Sequence, residues 1–318
     1  MDKATMSGAE NVRELSGILA KRLIGHEVLI ERLLIALLTD GHLLVEGAPG
    51  LAKTRAVRAL SEAVSGSTAR IQCTPDLMPA DLTGTPVWRP ETATFEFVPG
   101  PVFHNLVLVD EVNRAPPKVQ SALLEAMAER QVTAGGESHI LPDPFLVIAT
   151  QNPIEHDGTF PLPEAQLDRF LLHVVLDLPG IETERRILDL VESEGHGDAH
   201  SPDPLPQSAL QKAKAEVRDV HLAPELRDYI VRLVVATREG DLAGEVEHAA
   251  SPRGSLALAA SARARAWLLG RDFALPEDVA ALAQDALAHR MVLAWKAVAE
   301  GRTARGVVAD ILAAVEPL

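Results

Sequence analysis

Apolar residues recur every three or four positions from 11 to 23 (Val12, Leu15, Ile18, Leu19, Leu23) and again from 28 to 38. This spacing predicts two amphipathic helices joined by Ile24-Gly25-His26-Glu27. The period then changes. Leu43 to Val45, Leu106 to Val109 and Pro144 to Thr150 are nearly unbroken apolar runs, as expected of strands buried on both faces of a parallel sheet. Shorter stretches at 69–73 and 171–176 read as two more strands, and helical patterns at 55–64 and 118–129 fall between them, the second opening on Pro116-Pro117. This alternation predicts an α/β sandwich around a central parallel sheet.

Two strand pairs stand outside that alternation. Positions 85–89 and 94–98 flank Pro90-Glu91-Thr92, and 131–133 and 138–141 flank Ala134-Gly135-Gly136-Glu137, so each reads as a β-hairpin. The first lies in an irregular passage, 74–100, of a length that in a compact domain marks function or disorder, and its hairpin pattern favours function. After Pro179-Gly180 the strands stop. Helical patterns follow at 182–194, 207–217, 224–238, 252–269, 276–288 and 302–314, the fifth opening on Pro276-Glu277-Asp278, a proline in the first turn with acid at the positive dipole end. The chain thus divides into a core at 1–180 and a small all-α domain at 181–318. The stretch 195–206, rich in Gly, Pro, Asp and Ser, reads as a flexible connection. His196, Asp198 and His200 alternate within it, but such a segment offers no rigid ligand geometry for a metal.

Composition narrows the function. With 318 residues, 47% of them hydrophobic and only 3% aromatic, the cores must be built from Leu, Val, Ile and Ala. A net charge of −15 argues against general affinity for nucleic acid or anionic membrane. The single cysteine, Cys73, excludes an intrachain disulfide and a cysteine-based zinc site, and reads as a small packed residue in a reducing compartment. Positions 1–10 are polar and lack the apolar region of a secretory signal, and no apolar run approaches the roughly 18 residues of a membrane span. A soluble, cytoplasmic protein without membrane insertion is expected.

The chemistry concentrates where strands end. Gly47-Ala48-Pro49-Gly50-Leu51-Ala52-Lys53-Thr54 follows the first strand and opens a helix, the layout of a phosphate-binding P-loop. Gly47 and Gly50 suit sharp turns that bring backbone N–H groups against phosphate, and Pro49 stiffens the loop. Lys53 would reach the β- and γ-phosphates, and Thr54 would hold Mg²⁺. Ala52 stands where this pattern usually has glycine, but at a helix start alanine is well tolerated. The alternative is a Gly-rich strand-to-helix turn that binds nothing. Asp110 and Glu111 end a second buried strand, where Asp110 would join the Mg²⁺ sphere and Glu111 would polarise the attacking water. Asn152, ending a third, would sense the γ-phosphate, or simply form a turn before Pro153. Arg169 precedes the last strand; a surface arginine usually does little, but one on the far edge of a P-loop subunit would stabilise charge in a neighbour's site.

Taken together, these residues resemble the AAA+ ATPases and, within them, the MoxR family. The likeness spans about 15–314. Its most specific stretches are Asn113-Arg114-Ala115-Pro116-Pro117 and Leu162-Pro163-Glu164-Ala165-Gln166-Leu167-Asp168-Arg169-Phe170, with Ala149 to Glu155 and Ser251-Pro252-Arg253-Gly254 in support. The resemblance implies ATP and Mg²⁺ as ligands, Lys53 and Thr54 as Walker A, Asp110 and Glu111 as Walker B, Asn152 as sensor 1, Arg169 as the arginine finger and Arg253 as sensor 2, brought onto the γ-phosphate by rotation of a helical lid. It also implies that Gly25 and His26 line the adenine pocket, that the hairpins near 87–97 and 131–140 are the helix-2 and pre-sensor-1 inserts, and that Ala52 is a compatible variant. Arg114 would act at a subunit interface or pair with a carboxylate. Further implied are a homo-oligomeric, hexameric ring and a chaperone-like role in remodelling or maturing protein complexes, including metal or cofactor insertion. The partners would be a von Willebrand factor A domain protein and a protein client. Two other classes compete: a nucleic-acid motor, opposed by the acidic balance, and a nucleotide-gated adaptor that does not turn over, opposed by the intact Lys53, Asp110, Glu111 and Arg169 set.

Overall fold

The computed structural model describes residues 7–48, 53–152, 158–194, 203–240 and 242–317. Helices α1 (Gly8–Arg22) and α2 (Glu27–Leu38) lead into β1 (Leu43–Gly47), α3 (Lys53–Ala63), β2 (Thr68–Gln72) and a short α4 (Pro79–Thr83). The hairpin β3 (Gly84–Arg89) and β4 (Thr94–Pro99) precedes β5 (Leu106–Asp110) and α5 (Pro117–Glu129). A second hairpin, β6 (Gln131–Ala134) and β7 (Glu137–Ile140), leads to β8 (Leu146–Gln151), a single helical turn α6 (Glu164–Leu167), and β9 (Leu172–Leu176). The remainder comprises α7 (Ile181–Glu194), α8 (Gln207–Asp219), α9 (Pro224–Val235), β10 (Val246–His248), α10 (Pro252–Leu268), α11 (Pro276–Leu287), β11 (Val292–Leu293), α12 (Trp295–Ala299) and α13 (Ala304–Ala314).

The central sheet has the order β2-β5-β8-β1-β9, and every neighbouring pair is parallel. Its apolar runs are continuous because both faces are covered. Leu43, Val45, Leu106, Leu108, Leu146, Ile148, Leu172 and Val174 point to one side, where α1, α2 and α3 pack. Leu44, Ile71, Val107, Val109, Val147 and Ala149 point to the other, against α5. At roughly 1.5–3 kcal/mol for each large apolar side chain fully buried, this two-sided core fixes strand register, since a slip of one residue would exchange the two sets.

Helix α2 departs from the amphipathic reading. Leu29, Ile30 and every residue from Arg32 to Leu38 are buried. The reason is its position: α2 packs on β1 and β9 and also on α8 and α10, so the sheet core continues into the helical second half. A helix buried on all sides needs no polar face. The stretch expected to be a flexible connection is corrected at its far end. Leu205 is buried and forms a bridge with Val64, its N–H donating to Ala63 O at 2.8 Å and its carbonyl accepting from Ser65 N at 2.9 Å. His196, Asp198 and His200 lie outside the described residues.

Both hairpins form as expected, and they are joined. Phe97 of β4 stacks on His139 of β7 with ring centroids 3.9 Å apart and planes 12° from parallel. Trp88 and Phe95 make an edge-to-face pair on the first hairpin, and both are exposed. Sequence periodicity gave no sign of the β10–β11 pair or of α12, because elements of two to five residues are too short to show a period. No helix among the described residues is long and apolar enough to cross a membrane.

Candidate nucleotide site

Parallel strands deliver their carboxyl ends to one edge of the sheet, the edge at which open α/β folds bind ligands. Here that edge carries Gly47 of β1, Asp110 of β5 and Gln151 of β8, followed by Glu111 and Asn152. Ala48 continues from β1, and Pro49, Gly50, Leu51 and Ala52 lie outside the described residues. Lys53 opens α3, and its Nζ donates to Gly47 O at 2.7 Å and Gln151 O at 3.1 Å, tying the ends of β1 and β8 together. Thr54 is exposed on the first turn of α3. Asn152 is buried beside that Lys53 contact, at the end of β8.

The acidic pair is set by a residue that the sequence reading passed over. Thr150, buried in β8, donates from its hydroxyl to Asp110 Oδ1 at 3.2 Å and accepts from Glu111 N at 3.0 Å. The second contact holds Glu111 in a left-handed backbone conformation, φ 57°. Glu111 Oε2 accepts from Gln72 Nε2 at 3.1 Å and Arg114 Nη1 at 3.2 Å. Arg114 therefore pairs with a carboxylate within its own chain, one of the two roles open to it. The signals for Thr150 and Gln72 were present but faint: each is a polar residue at the end of a sheet strand. Cys73 is packed beneath the pair; burial, with help from Asp110 and Glu111, raises its thiol to about 12, so it is inert.

The donor set fits a nucleotide-bound Mg²⁺. Such an ion keeps most of its water and takes one or two protein oxygens besides phosphate, which Asp110 and Thr54 can supply. Among the described residues no group of three or more His, Cys, Asp or Glu side chains forms an all-protein metal cage. Arg70 Nε holds Asp110 Oδ2 at 2.7 Å, and its side chain is 58% exposed.

Gly25 and His26 occupy the turn between α1 and α2, close to the same edge. Arg55 of α3 donates from Nε to Arg22 O at 2.9 Å, fastening that turn to the P-loop helix. Gly25 has φ 78°, and a Cβ there would lie 2.1 Å from Thr183 Cγ2 at the start of α7, so only glycine fits. His26 is buried, which lowers its pKa and favours the neutral ring.

Arg169 and Arg253 lie elsewhere. Arg169 precedes β9, whose first residues pair with the start of β1: Leu43 is in register with Leu172, and Leu171 N donates to His42 O at 2.8 Å. Arg169 is thus at the amino edge of the sheet, separated from Gly47 by the length of a five-residue strand, roughly 15 Å at about 3.3 Å per residue. Its Nη1 donates to Leu124 O of α5 at 2.6 Å. Arg253 does open helix α10 after Ser251 and Pro252, but its Nη1 lies 3.4 Å from Asp168 Oδ2, on Arg169's side of the sheet rather than beside Lys53. The carboxyl edge therefore gathers Gly47, Lys53, Asp110, Glu111 and Asn152, and leaves both arginines out.

Comparison with known proteins agrees with this architecture. Residues 42–172 match the ATPase family associated with various cellular activities (AAA), and residues 239–311 match the AAA lid domain. The chain is 44% identical over 284 residues to chaperone MoxR1 of Mycobacterium tuberculosis, covering 87% of this chain and 74% of that one. It is 33% identical over 319 residues to protein MoxR of Methylorubrum extorquens, covering 93% and 91% respectively. A solved structure described as a candidate ATPase from Cytophaga hutchinsonii superposes with a TM-score of 0.88 at 39% identity, covering 97% of this chain and 95% of that one. An AAA domain followed by an AAA lid defines an AAA+ ATPase, and this chain belongs to the MoxR family of that class.

Proposed function

We propose that this chain hydrolyses ATP in a Mg²⁺-dependent manner within a homo-oligomeric ring, hexameric by family resemblance, and uses the cycle to remodel or mature protein complexes. The observation that carries the reading is the separation of Arg169 from the carboxyl edge of its own sheet: Arg70 and Arg114 there are already paired with Asp110 and Glu111, and Arg169, at the opposite edge, is placed to serve a second copy.

In this reading Lys53 leaves the carbonyls of Gly47 and Gln151 to neutralise the β- and γ-phosphates. Mg²⁺, held by Thr54 and Asp110, would supply further charge neutralisation when bound. Glu111 orients a water in line with the γ-phosphorus and takes its proton; the new P–O bond forms as the bond to the ADP oxygen breaks. Asn152 hydrogen-bonds the γ-phosphate. Arg169 of a neighbouring copy stabilises the charge on the transferring group, and Arg253, beside it, approaches the same neighbouring nucleotide rather than its own. Gly25 and His26 would form the adenine side of the pocket.

The chaperone-like role follows the name of the mycobacterial relative. Metal or cofactor insertion, a von Willebrand factor A domain partner and a cytoplasmic setting are extensions of it by family resemblance. The net charge of −15 favours a protein client over nucleic acid. The test is Glu111→Gln, expected to bind ATP normally, release phosphate at least about a hundredfold more slowly, and hold a von Willebrand A protein and its client through purification in ATP. Wild-type phosphate release by this variant would refute the role given to Glu111, and an ATP-loaded variant holding neither protein would refute the remodelling role.

A further inference from the structure

The segment that carries Arg169 is held by the lid rather than by the sheet domain alone. Arg290, in the turn after α11, is buried, with only 2% of its side chain exposed. Its Nη1 donates to Asp168 O at 2.6 Å and also to Asp168 Oδ1; its Nη2 donates to Phe170 O at 2.6 Å and Leu171 O at 3.3 Å. Nε is anchored to Ala286 O of α11 at 2.6 Å. One guanidinium therefore spans the residues on both sides of Arg169. His289 adds a bond: burial keeps its ring neutral, and Nε2 lies 3.2 Å from Phe170 O. From the start of α10, Ser251 Oγ donates to Asp168, lying 3.1 and 3.0 Å from its two carboxylate oxygens.

These contacts are too many, and too directional, for incidental packing. A planar guanidinium with five fixed donors fits the carbonyls of Asp168, Phe170 and Leu171 and a carboxylate in a way that a point-charge ammonium cannot. By contrast, the Arg169 side chain is held to its own sheet domain by the bond from Nη1 to Leu124 O, which rotation of that side chain alone can break.

We propose that Arg290 is a positioning residue for the arginine finger: it ties residues 168–171, which also rest on the sheet, to the lid, so that engagement of Arg169 with a neighbour's nucleotide is transmitted to the lid of the subunit that donates it. The proposal rests on the reading above that Arg169 acts in a neighbouring site. Arg290 would touch neither nucleotide nor water. Its effect would appear in the neighbour's turnover and leave its own P-loop intact.

The experiment compares Arg290→Gln, Arg290→Lys and Arg169→Ala, each alone and each mixed with Lys53→Ala subunits, with co-assembly verified. Arg290→Gln alone is expected to lose at least about tenfold in kcat with KM and ATP binding unchanged, and Arg290→Lys is expected not to restore it. In mixtures, Lys53→Ala subunits present an intact finger to the competent P-loop of the Arg290→Gln subunit, so activity should recover as it does with Arg169→Ala. Asp168→Asn, which keeps the backbone acceptors and removes the charge, gives the same comparison should Arg290→Gln fail to fold. Wild-type kcat in the folded variant, or recovery with Arg169→Ala but none with the Arg290 or Asp168 variant, would overturn the positioning role. Recovery with none of them would overturn action in a neighbouring site, and the positioning role with it.

Discussion

Thr150 and Asp110 share a buried hydrogen bond of 3.2 Å, and the same hydroxyl receives the backbone N–H of Glu111 at 3.0 Å. One side chain thus fixes the carboxylate of Asp110 and the backbone of Glu111. In Thr150→Val the shape is nearly kept, but a carboxylate oxygen and an N–H lose their partner, at a cost of about 1–3 kcal/mol. Urea denaturation should show that loss, and kcat should fall roughly tenfold or more with ATP affinity little changed, because the residues that grip phosphate are untouched. Unchanged kcat would remove Thr150 from the site.

Gly25 tests the adenine side. Gly25→Ala forces a left-handed conformation costing about 1–2 kcal/mol and drives a methyl into Thr183, 2.1 Å away. The start of α7 must shift, and nucleotide affinity measured by titration calorimetry should weaken by roughly tenfold. An affinity equal to wild type would place adenine elsewhere.

Inside the lid, Asp278 is fully buried and accepts from Arg265 Nη1, both terminal nitrogens of Arg271 and Leu275 N. Burial alone would raise its pKa, but these bonds outweigh it and hold the carboxyl below its usual range. Asp278→Ala leaves two arginines around a gap and should destabilise the chain by about 3–5 kcal/mol, read from denaturant midpoints. A loss below about 1 kcal/mol would mean the pair is solvated.

The pH dependence has a definite order. Burial pushes His42 down to about 4 from 6.5. Between those values the unfolded chain takes up a proton that the folded chain refuses, so the stability due to neutral His42 is complete above about pH 6.5 and is lost as the pH falls toward 4. The difference is about 3 kcal/mol. Asp278, whose pKa is lowered from 3.8, gives up its contribution only below that value. The stability gap between wild type and His42→Asn should therefore narrow between pH 7 and pH 4; a constant gap would mean that His42 does not carry the effect.

How far the sequence revealed this protein depends on the range of the interaction. Strands and the P-loop helix were legible because period and turn chemistry are local, and Asp110, Glu111 and Asn152 were legible because each ends a buried strand. The surroundings of α2 were not, since an apolar helix shows that it is buried but not between which layers. Arg169 could be singled out, yet its distance from Lys53 depends on the direction and order of β1 and β9. The Asp168–Arg290 pair, 122 residues apart in the chain, leaves no periodic trace, and Arg290 by itself reads as an ordinary charged residue after a helix.

The most direct test is ATP turnover in mixtures of Lys53→Ala and Arg169→Ala subunits, each inactive alone. A subunit with an intact P-loop but no finger, seated beside one with a finger but no P-loop lysine, should regain a fraction of wild-type phosphate release that rises and falls with mixing ratio. Absence of any recovery, with co-assembly of the two variants demonstrated, would contradict a site shared between copies.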